Sequence, residues 1–155
     1  MSDGTKTIVS NRKARFEYHI DERLEAGIQL QGTEVKSLRN GKANLQEAFC
    51  TVMGGEMYLL QCHIAPYDFG NRMNHDPVRP RKLLLHRREI ERFDKSAQQK
   101  GYTIIPLRLY FKNGMAKVEL GLGKGKKLHD KRADIADRES KRRLDRIKKG
   151  GREDL

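Results

Sequence analysis

The sequence predicts a mainly β protein: a small OB-like antiparallel β-barrel of about six strands with two or three short helices, followed by a disordered basic C-terminal tail. Three observations predict it. Two pairs of strand-like runs are joined by two-residue turn signals. The runs are short, and several alternate apolar with polar residues, which implies one buried and one wet face. Finally, the apolar residues thin out near the C-terminus while the charge rises. Residues 1–123 hold 20 Lys/Arg against 14 Asp/Glu, and residues 124–155 hold 13 against 7, so the last fifth carries half of the net charge of +12. That last stretch buries too little to offset its ordering entropy. The expected organisation is a body, 1–123, and a tail, 124–155.

The elements follow in order. Asn11-Arg12-Lys13-Ala14-Arg15 reads as a basic arm. Phe16 to Ile20 and Ala26 to Gln31 alternate with strand period, and Gly32 ends the second run. From Thr33 to Arg39 the period changes. Val35 and Leu38 lie three apart, Thr33 suits an N-cap and Asn40-Gly41 a stop, so a short helix is expected. Runs 49–53 and 56–60 flank Gly54-Gly55 and form a hairpin. Residues 65–82 contain Pro66, Pro77 and Pro80 and make a loop longer than usual connections, a mark of functional loops. Arg87 to Lys100 places Ile90, Phe93 and Ala97 on one helical stripe, and Gly101 stops it. Ile105 to Phe111 and Ala116 to Leu120 alternate around Asn113-Gly114, a second hairpin, and Pro106 marks an edge or bulge. A closed barrel removes exposed edges. A small open sheet packed on helices is the alternative.

The charge points to a polyanion, nucleic acid first and an anionic membrane surface second. No apolar run approaches the roughly 18–20 residues of a membrane span, and the first residues lack the apolar segment of a signal peptide. A cytoplasmic monomer is expected. Cys50 and Cys62 are the only cysteines, which excludes a disulfide scaffold and suits small core residues better than zinc ligands. Gly121-Leu122-Gly123-Lys124-Gly125-Lys126-Lys127 matches neither a Walker loop nor a dinucleotide loop. It reads as a flexible hinge studded with lysines, ahead of a structured phosphate nest. His75-Asp76 could orient a base, but no nucleophile has a setting nearby, and Asp76 suits a turn before Pro77. There is no catalytic constellation. A non-enzymatic protein without metal or cofactor is expected.

Several segments together resemble the SmpB family of bacterial SsrA-binding proteins: NRKARFEY at 11–18, GTEVKSLRNGKANL at 32–45, NHDPVRPRKLLLHRREI at 74–90, GYTIIPLRLYF at 101–111 and AKVELGLGKGKKLHDKR at 116–132. The resemblance implies an OB-like barrel with a disordered tail, and a role in trans-translation. Such proteins bind the tRNA-like domain of transfer-messenger RNA and deliver it to ribosomes stalled on truncated messages. The body stands in for an anticodon stem, and the tail probes the empty mRNA channel near the small-subunit decoding centre.

The residue chemistry suits this picture. Asn11, Arg12, Lys13 and Arg15 suit RNA phosphates and 2′-hydroxyls. Lys36 and Arg39 share the short helix with Glu34, whose carboxylate can accept from base amino groups or cap its own helix; the resemblance favours RNA. Arg81 and Lys82, with Asn74 and Arg79, extend the expected surface, unless their loop braces the barrel. Lys124, Lys126 and Lys127 suit phosphates on a glycine-flexible segment. In the tail, Glu139 with Arg143 is one of three favourable i,i+4 pairs, the others being Asp134 with Arg138 and Asp145 with Lys149. Such a helix is marginal alone, so folding on binding is expected. The resemblance assigns His129, Asp130, Lys131 and Arg132 to the decoding centre and an apolar contact to Ile147, while Ser140 stands where many relatives carry Trp. A general OB-type RNA chaperone, a ribosomal protein and an RNA-modifying enzyme are the competing readings. Scarce aromatics, mostly in core phase, oppose the first, and the missing catalytic groups oppose the last.

Overall fold

A computed structural model describes residues 4–69, 74–126, 132 and 135–143. Its elements are β1 (Thr5–Ser10), α1 (Arg12–Glu17), β2 (Tyr18–Ile28), α2 (Gly32–Arg39), β3 (Ala43–Asn44), β4 (Phe49–Met53), β5 (Glu56–Leu60), β6 (His63–Ile64), β7 (Arg81–Leu84), α3 (Arg87–Lys100), β8 (Thr103–Lys112) and β9 (Met115–Gly125). Seven strands form one sheet in the order β1-β8-β9-β2-β7-β5-β4, and β3 pairs with β6. The ladders are antiparallel. β4 returns alongside β8, so the sheet curls on itself. No ladder closes the ring among the described residues. The mainly β, OB-like expectation holds in this form of a curled sheet.

Both hairpins form at their turn signals. Asn113 and Gly114 have φ of 52° and 80°, the paired left-handed geometry that matches the twist of the strands they join. α3 spans Arg87–Lys100, buries Ile90 and Phe93 against the sheet, and ends at Gly101. Pro106 lies beyond the end of β1, and the β8–β9 register slips between Pro106 and Arg108. The expected bulge is there, and no β1 partner is denied an N–H. The main core gathers Leu38, Leu59, Leu83, Phe93, Leu109 and Leu120. Cys50 and Cys62 are free and buried in it. Burial pushes both thiols up, Cys62 to about 11, so neither is a nucleophile near neutral pH.

Four expectations change. Residues 11–15 are not an arm and Phe16 does not start a strand: α1 holds Arg12–Glu17, and β2 runs unbroken from Tyr18 to Ile28. The cause is a cap and a contact. The Asn11 side chain accepts from the Ala14 N–H at 3.1 Å, and buried Ala14 packs on Ile105 and Leu107. Second, the glycine-lysine run is no hinge through Gly125, because β9 carries it in register with β8 to Gly123. Third, β1, β3, β6 and β7 add to the expected strand count. Short polar β1 and β7 gain their order from pairing with β8 and with β2 and β5. Fourth, α2 begins at Gly32 with Gln31 as its N-cap, ahead of the expected cap at Thr33.

The chain divides into two compact units, Met1–Lys124 and Gly125–Leu155. In the second, Arg132 and residues 135–143 are helical, and their side chains are exposed. No helix among the described residues is long and apolar enough to cross a membrane.

Candidate nucleic-acid interface

Helix α2 shows how a cationic surface is built here. Its inner face is Glu34, Ser37 and Leu38, all enclosed. Lys36 and Arg39 are left on the outer face, exposed. The helix is held by a buried carboxylate with two arginines. Glu34 accepts from Arg79 through Oε1, at 2.6 Å from Nη2 and 3.2 Å from Nε. Its Oε2 accepts from Arg81 Nε at 2.5 Å. Oε1 also accepts the Gln31 backbone N–H at 2.8 Å, capping the helix. Burial pushes the Glu34 carboxyl up, but the bonds from Arg79, from Gln31 and from Arg81 outweigh it and hold it below its ordinary value. Arg81 spends its remaining donors on the carbonyls of Cys62 at 2.6 Å and Pro77 at 3.1 Å. His75 joins the same region, with Nδ1 at 2.8 Å from Thr33 Oγ1 and Nε2 at 2.9 Å from the Ile64 carbonyl. Ser37 donates to the Ala65 carbonyl at 2.7 Å.

Three expected RNA contacts are therefore corrected. Glu34 and Arg81 have no exposed surface, and Asn11 is 4% exposed. Glu34 and Arg81, sealed on all sides, reach no phosphate or base, and Asn11, at the floor of a cleft beside Arg12 and Lys13, is nearly enclosed. Their polar atoms serve the protein: Asn11 also donates to the Pro106 carbonyl at 3.0 Å and the Leu45 carbonyl at 3.3 Å. Each orients a neighbour that does face solvent. Asn11 starts α1, which exposes Arg12, Lys13 and Arg15, and Glu34 with Arg81 fixes α2, which exposes Lys36 and Arg39. His75 belongs to this scaffold, so its pairing with Asp76 is set aside. Asp76 caps a turn, accepting from the Val78 N–H at 3.0 Å, in accord with the plainer reading.

Two clefts along β1 join these cations. One, of about 350 Å³, is lined by Lys6, Ile8, Leu38, Arg39 and Phe111. The other, of about 340 Å³, is lined by Val9, Arg12, Lys13, Asn44 and Gln46. Lys36, Arg39, Lys6, Arg12 and Lys13 thus lie along one strip from α2 to α1. On that strip Lys13 meets Glu47 at 3.5 Å, an exposed pair, whereas the face of β2, β8 and β9 carries several paired charges. Glu119 meets Arg23 and Arg108, each at 3.7 Å, Glu22 meets Arg92 at 2.7 Å, and Glu25 meets Lys112 at 3.5 Å. Tyr110 and Tyr102 donate to Glu25 and Asp21. Cations already matched to carboxylates gain less from a phosphate, so the β1 strip is the favoured polyanion face.

The other expected residues are scattered. Lys82, half-buried on β7, reaches Glu56 at 3.7 Å, away from α2. Lys124 is exposed at the end of β9, its Nζ 4.8 Å from the Tyr102 ring centre. Lys126 follows the strand, half-buried. Arg132 is helical and exposed, as is Ser140. Lys127, His129, Asp130, Lys131 and Ile147 lie outside the described residues. Sequence reasoning missed Lys6, which stands in an unpredicted strand, and missed the aromatic pair Tyr67 and Phe69. Asn74 turns out to brace that pair, accepting the Tyr67 N–H at 3.0 Å and donating to its carbonyl at 2.7 Å. Among the described residues no group of three or more His, Cys, Asp or Glu is placed to hold a metal ion.

The family described as "SmpB protein" matches over residues 8–150. The SsrA-binding protein of Geobacter metallireducens is 59% identical over 141 residues, covering 91% of this chain and 92% of that protein. The SsrA-binding protein of Syntrophomonas wolfei is 58% identical over 143 residues, covering 92% and 91%. A solved structure described as "tmRNA-SmpB: a journey to the center of the bacterial ribosome" matches with a TM-score of 0.66 and 51% identity, over 77% of this chain and 85% of that one.

Proposed function

The chain belongs to the SmpB family, and from that premise we propose that it is an RNA-binding factor of trans-translation, not an enzyme. It binds the tRNA-like domain of transfer-messenger RNA and carries it to stalled ribosomes in the cytoplasm. The observation that carries this reading is α2, pinned from within by Glu34 so that Lys36 and Arg39 face outward beside the basic clefts of β1. A rigid row of cations suits a folded RNA, whose phosphates are themselves fixed in space. Lys124, Lys126 and Lys127 extend the contact at the exit of β9. The tail makes the ribosomal contact: His129, Asp130, Lys131 and Arg132 at the decoding centre, and Ile147 further along the empty mRNA channel.

Two measurements test it. Tagged protein is isolated from cells and the RNA that comes with it is sequenced; one dominant transfer-messenger RNA is expected. Bulk mRNA or an rRNA fragment would identify a general RNA chaperone or a ribosomal protein instead. Then the purified RNA is titrated at several salt concentrations. Replacing Lys36 and Arg39 by Ala should weaken binding and flatten the log–log salt slope by roughly 0.7–0.9 for each phosphate left without its cation. An unchanged slope removes the outer face of α2 from the interface.

A further inference from the structure

Scarce aromatics argued against base stacking, yet two of them stand beside α2 in a braced arrangement. Phe69 is 79% exposed. Its ring meets Tyr67 edge to face, with centres 5.5 Å apart and planes at 68°. Tyr67 is fixed at both backbone polar groups by the Asn74 side chain. Lys36 of α2 holds its Nζ 5.3 Å from the centre of the Tyr67 ring. Lys42 reaches across to Asp68 at 3.4 Å and cancels the one acidic charge between the two rings. A single exposed apolar side chain needs no explanation. A ring offered to water by a pinned backbone, partnered by a second ring and flanked by two lysines is a different object.

We propose that Phe69, supported by Tyr67, is a stacking platform for an unpaired base of the bound RNA, with Lys42 neutralising Asp68 beside the ring and Lys36 near enough to meet an adjoining phosphate. This rests on the RNA-binding reading above and specifies part of its surface. The chemistry favours RNA over a protein partner. Every base offers a π-face to an aromatic side chain, and sequence-specific RNA recognition acts on splayed, unstacked bases. A protein partner would instead be drawn to a contiguous apolar patch. Around the rings lie Lys36, Lys42, Pro66 and Asp68, mostly charged. The Lys36 ammonium lies over one face of the Tyr67 ring, so the open ring is Phe69.

The test uses the full chain, in vitro transcribed transfer-messenger RNA, and the variants Phe69→Ala and Phe69→Trp. Phe69 is exposed, so neither change should disturb the fold, which circular dichroism and melting temperature verify. Phe69→Ala should weaken binding by roughly 5- to 150-fold, the range for removing one base–aromatic stack. Its salt slope should match the parent, because every cation that meets a phosphate is retained. Phe69→Trp should bind at least as tightly as the parent. Chemical probing should show an unpaired base protected by the parent and not by Phe69→Ala. Binding by Phe69→Ala within two-fold of the parent overturns the platform, as does weakened ribosome rescue with unchanged RNA affinity, which would make the ring a protein contact. If the parent chain itself fails to bind the RNA while a known SsrA-binding protein succeeds, the functional premise falls, and the platform with it.

Discussion

A single carboxylate separates what chemistry suggests from what burial allows. Glu34 sits between basic residues in sequence, and a carboxylate so placed suits base amino groups. The structure turns it inward onto Arg79 and Arg81, and its role becomes one of position. The two readings predict different things. Removing a surface acid should leave stability nearly unchanged. Removing this one strands Arg81, itself without exposed surface, so Glu34→Ala should destabilise by about 3–5 kcal/mol in urea unfolding. The pH dependence follows from the sign of its shift. The folded carboxyl lies below its ordinary value of 4.5, so the unfolded chain binds the proton more readily. The stabilisation is complete above that value and is lost as pH falls through the lowered one. Between pH 7 and pH 3 the parent should lose stability more steeply than Glu34→Gln, which starts lower at neutral pH. Parallel curves would show that Glu34 does not set the acid response. The sequence could not separate these readings, because Arg79 and Arg81 lie 45 and 47 residues away and only the fold brings them to α2.

At the scale of elements, legibility tracked how local the deciding interaction is. Both hairpins and α3 were readable, because a two-residue turn or a helical stripe with a glycine stop is contained in a few neighbouring residues. α1 was not. Its stripe is one buried alanine, and its cap, Asn11, is held by carbonyls 34 and 95 residues distant. The β9 exit was misread for a related reason. Gly121 and Gly123 suggest a hinge, but their lack of side chains serves close packing. A Cβ on Gly123 would stand 2.9 Å from Ile105 Cδ1 and 3.0 Å from both Ile20 Cδ1 and Tyr18 Cβ. The Tyr18 Cβ is fixed by its backbone and cannot swing aside. Gly123→Ala should therefore cost about 1–3 kcal/mol, the usual penalty for overfilling a packed site, seen as a lowered melting temperature. A hinge glycine would give no loss on Ala substitution, or a small gain from the stiffer unfolded chain. The sign of the change decides between a hinge and a packing contact. The exposed cations were half legible for the same reason: Lys36 and Arg39 stood out by their charge on a short local helix, whereas the placement of Phe69 depends on a brace seven residues long that no periodicity reports.

Across the whole molecule, packing and charge are divided unequally. The body holds the sheet, the core and the basic strip. The second unit shows a helix over 135–143 with exposed side chains, supported in place by pairs such as Asp137 with Lys141 at 3.5 Å. An i,i+4 pair contributes only about 0.2–0.5 kcal/mol, and a helical stretch whose described side chains are all exposed is marginal in water. The proposed ribosomal contact would supply the missing stability, and the net positive charge of this stretch suits an anionic partner. This predicts a separable loss. A chain stopped after Lys127 should unfold with the parent's midpoint and still bind transfer-messenger RNA, because α2, the β1 clefts and the β9 lysines remain. It should not support tagging of peptides on ribosomes stalled at a truncated message. Arg143→Pro, in the full chain, should reproduce that loss by breaking the helix while leaving RNA affinity intact. Ile147→Asp should do the same by removing the apolar contact proposed for the mRNA channel. A reconstituted translation assay with alanine-charged RNA, run beside RNA titrations on the same preparations, measures both quantities. Full-rate tagging by the truncated chain would make the tail a solvated appendage. Loss of RNA binding in that chain would place the tail in the RNA interface and end the division of labour proposed between the two units.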